Sequence, residues 1–205
     1  MSSTVIGNVI GVAGTAAKTA AKTAVEAAVR LAASRTGIDF GYLIAQARIE
    51  SGLNPKAQSR SSSAAGLYQF TNATWLETVR KHGAEHGLAW AANALKDGAA
   101  ALGHETRTAI LALRNDAQAS ALMAAEFAAD NRDALESRLG HAVGTTELYL
   151  AHFLGSSGAA RFLKAHDSNA ATSAAAVAPS AARSNRSIFF AADGRAAGGT
   201  DVAVN

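Results

Sequence analysis

Glu50 is the residue whose surroundings in the sequence best suit proton transfer. It continues a set of residues spaced three and four positions apart, namely Tyr42, Leu43, Gln46 and Ala47. Because residues at these spacings share one face of a helix, Glu50 is expected to extend an apolar stripe. A carboxyl held against apolar groups is disfavoured in its charged form. Glu50 is therefore expected to hold a proton near neutral pH, as a general acid must; an ordinary solvated glutamate at a helix end is the alternative.

The segment Ser63–Phe70, which reads Ser-Ala-Ala-Gly-Leu-Tyr-Gln-Phe, carries groups that suit a carbohydrate. Gly66 lets the backbone approach a ligand closely, because it has no Cβ. Gln69 offers both donors and acceptors, which suits hydroxyl and N-acetyl groups. Tyr68 offers a flat apolar surface for a sugar ring.

No second catalytic carboxylate and no metal site stand out. The remaining carboxylate candidates are each interpreted as surface charges: Glu77, Asp116, Glu126 and Glu147. His82 and His86 are four residues apart, a spacing that can place two metal ligands on one helix face. A third ligand at close spacing is missing, so the sequence predicts neither a metal site nor a cofactor.

Helices are expected to position these residues, because the chain is rich in alanine and has only two prolines among 205 residues. Alanine loses no side-chain entropy in a helix, and proline is the strongest helix breaker. The fold class is therefore mainly α. Apolar spacing, caps and glycine breaks predict eight helices. The third follows Asn72, whose side chain is expected to cap it. The others cover residues 4–34, 39 to Gly52, 90–101, 106–113, 116–139, 147–154 and 157–166.

Composition divides the chain into three parts. Residues 1–35 form an Ala-rich helical leader and residues 36–166 a main domain, since Gly37 breaks the helical pattern between them. Residues 167–205 form an Ala/Ser-rich tail. Within the tail, segment 185–190 contains three large apolar residues. We expect this segment to dock on the domain, because each side chain contributes about 1.5–3 kcal/mol when fully buried.

Charge and cysteine content exclude several classes of function. The formal net charge is +3 and the basic residues are scattered, whereas nucleic-acid binders concentrate them on one face. Mild basicity suits the approach to an acidic polymer such as a bacterial cell wall. The chain has no cysteine, so it has no disulfides and no thiolate chemistry. The apolar stretch Val5–Ala17 is too short for a bilayer, which needs about 20 residues, and it lacks the basic start of a secretory signal.

Glu50-Ser51 followed by Gly66-Leu67-Tyr68-Gln69 resembles the soluble lytic transglycosylase family, a branch of the lysozyme-like superfamily. In that family a helix-borne Glu-Ser precedes a Gly-Leu-aromatic/Met-Gln segment that lines the cleft. A third family element is a Tyr-Asn-Ala-Gly helix, whose best counterpart here is residues 148–155.

The resemblance implies a lysozyme-like helical domain over residues 36–166, with Glu50 as the catalytic acid and base. Glu50 would protonate the glycosidic oxygen between N-acetylmuramic acid and N-acetylglucosamine. It would then act as base on the muramyl 6-hydroxyl and give a 1,6-anhydro product. Tyr149 would hydrogen-bond this carboxyl. The implied substrate-binding residues are Ser51, Gly66, Tyr68, Gln69, Tyr149 and His152.

Several alternatives stay open beside the transglycosylase. A muramidase would hydrolyse the same bond with water. A catalytically silent wall-binding module would keep only the fold, and it is motivated by Leu150 and His152, which replace the family's Asn and Gly. The implied partner is the peptidoglycan glycan strand, and the expected location is the periplasm or the cell wall. A further hypothesis makes the leader, with Lys18, Lys22 and Arg30 along one side, an interaction helix for secretion or flagellar machinery.

Overall fold

The computed structural model describes the backbone of residues 3–168 and the side chains of residues 19–166. Within this range the chain forms seven α-helices and no β-strand, which confirms the mainly α fold class. The predicted docking segment 185–190 lies outside the described residues. The α-helices are α1 Ser3–Thr36, α2 Phe40–Ser51, α3 Asn72–His82, α4 Ala89–Ala94, α5 His104–Ala112, α6 Ala117–Leu139 and α7 Thr145–Ser168.

Short 3-10 helices follow three of these helices. They are Gly83–His86 after α3, Ala99–Ala101 after α4 and Leu113–Asn115 after α5. No helix in the described range is both long and apolar enough to cross a membrane.

The chain divides into two compact units, residues 1–127 and residues 128–205. The first unit is built around the large buried side chains Leu43, Leu67, Trp75, Ile110 and Met123. The indole of Trp75 donates from Nε1 to the carbonyl of Ile110 at 2.8 Å, so its polar edge is satisfied inside this core.

The second half of α1 packs against α2. Val25, Val29 and Ala32 are buried on one side of α1. The guanidinium of Arg30 lies 4.5 Å from the centre of the Phe40 ring, which adds a cation–π contact at the start of α2. The C-terminal half of the leader therefore contributes to the packing that holds α2.

Local capping fixes where α2 and α3 begin. Asp39 caps α2, because its Oδ1 accepts from the backbone N–H of Tyr42 at 2.8 Å. The cap of α3 is Thr71, whose hydroxyl accepts from the N–H of Thr74 at 3.3 Å. The prediction that Asn72 caps this helix is therefore wrong by one residue, since Asn72 is already its first helical residue.

The second unit has its own apolar cluster, formed by Leu135, Leu150, Ala151, Phe162 and their neighbours. In α7, Gly155 has non-helical angles, φ 66° and ψ 156°. This break confirms the predicted helix end at Gly155, and the second helical stretch resumes after it.

Candidate functional site

Glu50 lies in the last turn of α2 and is half-buried. The stripe that it continues is buried as predicted, at Tyr42, Leu43, Gln46 and Ala47. Just beyond it the chain turns sharply, because Gly52 and Leu53 both adopt the left-handed conformation, with φ 62° and 65°. Such a φ is strained for leucine. The turn ends α2 immediately after the carboxyl and leads the chain away from it.

Ser51 fastens the end of α2 to the Ser63–Phe70 segment, which we call the motif loop. Its Oγ lies 2.8 Å from the carbonyl oxygen of Leu67 and 3.0 Å from that of Ala47, and its single proton is shared between these two acceptors. The same oxygen accepts from the N–H of Asn54 at 3.2 Å. Ser51 therefore holds the turn and the loop together beside Glu50.

A glycine is required at position 66 because another part of the main chain lies close to it. Its φ is 82°, and a Cβ at this position would lie 2.0 Å from the carbonyl oxygen of Arg114. Gly66 is also buried. The prediction that Gly66 lets the backbone approach a ligand is corrected: the group that approaches is the main chain at Arg114.

Tyr68 is buried in the first unit, with 3% of its surface exposed. Its hydroxyl donates to the carbonyl of Leu43 at 3.1 Å, which links the motif loop to α2. Burial, and to a smaller extent the neighbouring Tyr42, raises the pKa of the Tyr68 hydroxyl. The prediction that Tyr68 offers a flat surface to a sugar ring is therefore wrong. Tyr68 lies in the core and supports the motif loop through its hydrogen bond to α2.

Gln69 is half-buried, and its amide nitrogen bonds to two main-chain carbonyls. Nε2 donates to the carbonyl of Gly66 at 2.9 Å and to that of Ala57 at 3.3 Å. The backbone of Gln69 has a φ of 48°, which is unusual for a residue with a side chain. Both amide protons are thus bonded to main-chain carbonyls, one inside the motif loop and one before it, so the side-chain oxygen is the atom suited to accept from a ligand.

Arg114 is a residue that the sequence analysis missed. It is 8% exposed, in the 3-10 helix Leu113–Asn115. Nη1 donates to the carbonyls of Ser63 at 2.7 Å and Phe70 at 2.9 Å, and Nε donates to that of Leu111 at 3.0 Å. Burial lowers the pKa of this guanidinium. Nothing local marks it, because its acceptors are main-chain carbonyls, two of them more than forty residues away.

The other carboxylates of the first unit that the sequence singled out are engaged elsewhere. Glu77 pairs with Arg80 on the surface, and hydrogen bonds from Arg80 lower the pKa of Glu77. Asp116 precedes α6, and its Oδ1 accepts from the N–H of Ala119 at 2.8 Å. Glu126 is half-buried against His86, so its interpretation as a surface charge is wrong.

Glu126 supplies the third partner that the histidine pair lacked in the sequence. Its Oε1 lies 2.6 Å from Nε2 of His86, and its Oε2 lies 3.4 Å from Nδ1 of His82. Glu85, His86 and Glu126 bring one ligand atom each to within 4.8 Å of one another and could hold a metal ion. The short His86–Glu126 contact is a direct hydrogen bond that links the 3-10 helix Gly83–His86 to α6. The other ring nitrogen of His86, Nδ1, is buried and has no hydrogen-bond partner among the described residues.

Tyr149 and His152 lie on α7 in the second unit and flank the ring of Phe153. The centroid distances to this ring are 4.8 Å from Tyr149 and 5.3 Å from His152, both edge-to-face. Leu150, where the family has Asn, is buried in the apolar cluster of this unit. A polar side chain there would be buried, so the departure is explained by packing. The pairing of Tyr149 with Glu50 stays a prediction.

Residues 27–109 match the family model described as "Transglycosylase SLT domain". The matched range begins in the buried half of α1 and contains Glu50, Ser51 and the whole motif loop. It ends within α5, before Arg114 and before both α7 residues.

Proposed function

We propose that this chain, whose residues 27–109 belong to the transglycosylase SLT family of the lysozyme-like superfamily, is a peptidoglycan lytic transglycosylase with Glu50 as its acid and base. The match to this family supports an activity on the cell wall, with peptidoglycan as substrate. The choice of bond, product and catalytic residue is our proposal.

One observation carries this proposal. The hydrogen bond from Ser51 to the carbonyl of Leu67 links the carboxyl-bearing end of α2 directly to the motif loop. Glu50 precedes Ser51 directly and is half-buried. A proton donor in a partly dry position, hydrogen-bonded through the next residue to a loop with polar groups, is an arrangement that suits general acid catalysis.

In the proposed reaction, Glu50 gives its proton to the oxygen that joins N-acetylmuramic acid to N-acetylglucosamine. The bond from muramyl C1 to that oxygen breaks, and the N-acetylglucosamine part leaves as an alcohol. The Glu50 carboxylate then takes the proton of the muramyl 6-hydroxyl, whose oxygen bonds to C1. The product is a 1,6-anhydro sugar, Glu50 regains its proton, and no water is consumed.

The other residues of the proposed site have different roles in this reaction. Gln69 binds the glycan through its side-chain oxygen, which accepts from a hydroxyl or N-acetyl N–H group. Ser51, Gly66 and Tyr68 act on the substrate indirectly, because their contacts shape the loop and fasten it to α2. Tyr149 and His152 are proposed contacts by family resemblance.

The three carboxylates that the sequence singled out in the first unit have other partners, which supports transglycosylation over hydrolysis. Hydrolytic glycosidases use a second carboxylate to activate water or to form a covalent intermediate. Glu77 is paired with Arg80, Asp116 caps α6, and Glu126 is bonded to His86. A muramidase remains the alternative, and it differs in its product.

Digestion of purified peptidoglycan, followed by mass spectrometry of the released muropeptides, tests the proposal. We expect 1,6-anhydro-muropeptides from the wild type and a loss of about 10³-fold or more in Glu50→Gln, because the amide cannot donate an acidic proton. The matched control is Glu77→Gln, which removes an exposed carboxylate of the same unit and should leave the rate unchanged.

The other products separate the alternatives. Reducing-end sugars that also depend on Glu50 would assign a muramidase. Binding to the wall without released fragments, equal in wild type and Glu50→Gln, would assign a catalytically silent module.

The place of action is part of the proposal. A peptidoglycan substrate requires the periplasm or the cell wall. An interaction of the leader with secretion or flagellar machinery is supported by the exposed residues 19–24 at the start of the described side chains. Deleting residues 1–24, which removes this exposed stretch and stops before the buried Val25, should abolish such partner binding and leave wall cleavage intact.

A further inference from the structure

In the described part of the chain, the charged side chain of Arg114 bonds only to main-chain groups. Its bonds go to carbonyl oxygens, and within the described residues no carboxylate pairs with it. Burying a charge without an opposite charge is unfavourable. A guanidinium is, however, the side chain whose donors form a rigid planar fork, and this fork can hold separate carbonyls in a fixed relation.

The two distant carbonyls that Arg114 holds are the two ends of the motif loop, at Ser63 and Phe70. The carbonyl of Phe70 also accepts from the N–H of Ala65 at 3.1 Å, inside the loop. The backbone of Arg114 meets the middle of the loop as well, because its carbonyl fills the space that a Cβ on Gly66 would need. One residue therefore touches the loop at both ends and at its centre.

We propose that Arg114 is a positioning residue of the catalytic site, which holds the motif loop in the shape that places Leu67 and Gln69 beside the end of α2. This inference rests on the proposed transglycosylase function. The path is short: Arg114 fixes the loop, the loop carbonyl of Leu67 binds Ser51, and Ser51 follows Glu50. Gln69 is fixed by the same loop through the carbonyl of Gly66.

The first test is the steady-state kinetics of Arg114→Lys on glycan strands. Lysine keeps the charge and loses the planar fork, so the two loop ends are no longer held in a fixed relation. A misplacement of about 1 Å can lower a rate about 100-fold. We therefore expect kcat to fall about 10-fold to 100-fold, with a much smaller change in KM.

The matched control is Arg107→Lys. Arg107 is in the neighbouring α5 and donates from Nη1 to a single carbonyl, that of Ala99 at 3.2 Å, away from the motif loop. Both variants lose a guanidinium that bonds to the backbone of the first unit. We expect Arg107→Lys to keep the wild-type kcat.

Two further readouts separate positioning from general stability. Free guanidinium ion, added at tens of millimolar to Arg114→Ala, should restore part of kcat, whereas sodium chloride at equal ionic strength should not. Hydrogen exchange of the Ala65 and Gly66 amides should become faster in Arg114→Lys. The amide of Arg107, which bonds to the carbonyl of Gly103, should exchange as in the wild type.

Each outcome has a defined meaning. A kcat of Arg114→Lys within about twofold of the wild type, per folded molecule, would overturn the inference. Variants that fail to fold even with guanidinium present would also overturn it, because the role would then be structural. If the wild type releases no muropeptides, the proposed function fails, and the exchange of the Ala65 and Gly66 amides still decides whether Arg114 holds the loop.

Discussion

The Tyr68 hydroxyl gives a residue-scale test at alkaline pH. Its folded pKa is raised by burial above the unfolded value of about 10. Above that pH the unfolded chain loses this proton first, so the folded state binds more protons and its stability falls as pH rises. The slope that one proton contributes is up to about 1.4 kcal/mol per pH unit.

Tyr68→Phe should remove this slope. At neutral pH the variant should be less stable by about 0.5–1.5 kcal/mol, because it loses the hydrogen bond to the Leu43 carbonyl. Above about pH 10 the difference should shrink and then reverse. Urea unfolding of both proteins across this range measures it. Parallel pH profiles would show that the hydroxyl is not buried in solution.

Alanine substitutions at Gly66 and Gly87 distinguish the cost of backbone strain from the cost of steric overlap. Both have a positive φ, 82° and 79°, but a Cβ on Gly87 meets nothing within 4 Å. Gly87→Ala should therefore cost about 1–2 kcal/mol of stability, from its conformation alone. Gly66→Ala should cost a further 1–3 kcal/mol, on the order expected for overpacking, because the Arg114 carbonyl must move. Equal losses, measured by thermal unfolding, would mean that this close approach is absent.

At the scale of elements, the His86–Glu126 bond joins the 3-10 helix Gly83–His86 to α6. The two side chains are 6% and 15% exposed, so removing one leaves the other polar group in a dry environment. We expect His86→Leu and Glu126→Leu each to lower the free energy of unfolding by about 2–4 kcal/mol. The double variant should recover most of that loss, because an apolar pair needs no partner.

Chemical denaturation of the four proteins closes this cycle. Losses that simply add in the double variant would show that the two side chains act independently. A stabilisation of the wild type by zinc that disappears in His86→Leu would instead assign the cluster with Glu85 to metal binding.

The elements themselves could be predicted largely from the sequence, because their signals are local. Apolar spacing marked α2, and glycines marked its end and the break at Gly155. The exact cap of α3 could not be fixed, since Thr71 and Asn72 both have capping side chains and only the backbone angles distinguish them. Glu126 was misjudged because its partner His86 lies forty residues away.

In the candidate site, too, features that depend on neighbouring residues could be predicted, and features that depend on distant contacts could not. Glu50 and Ser51 could be recognised from residue type, order and spacing. The parts of Gly66 and Tyr68 could not, because these depend on Arg114 and Leu43, which the fold brings to the loop from far along the chain. The role of Arg114 could not be predicted, because a sequence pattern shows the type of each side chain but not which main-chain carbonyls it binds.

At the scale of the whole molecule, the proposed residues are divided between two units. Glu50 and the motif loop belong to the first unit and to the family-matched range, whereas Tyr149 and His152 belong to the second. The family resemblance implies that Tyr149 hydrogen-bonds Glu50. By that resemblance we propose that catalysis depends on a hydroxyl from a residue outside the matched range.

Tyr149→Phe tests that dependence in the full-length chain. A hydrogen bond to a charged group contributes about 1.5–3 kcal/mol, so its loss should lower kcat about 10-fold to 100-fold. The unfolding temperature should fall by only a few degrees, because phenylalanine keeps the ring contact with Phe153. Phe162→Leu is the control: it removes apolar contacts within the buried cluster of the same unit and should lower stability while leaving kcat unchanged. An unchanged kcat in Tyr149→Phe would mean that Glu50 works without the tyrosine, and that the first unit supplies its proton chemistry alone.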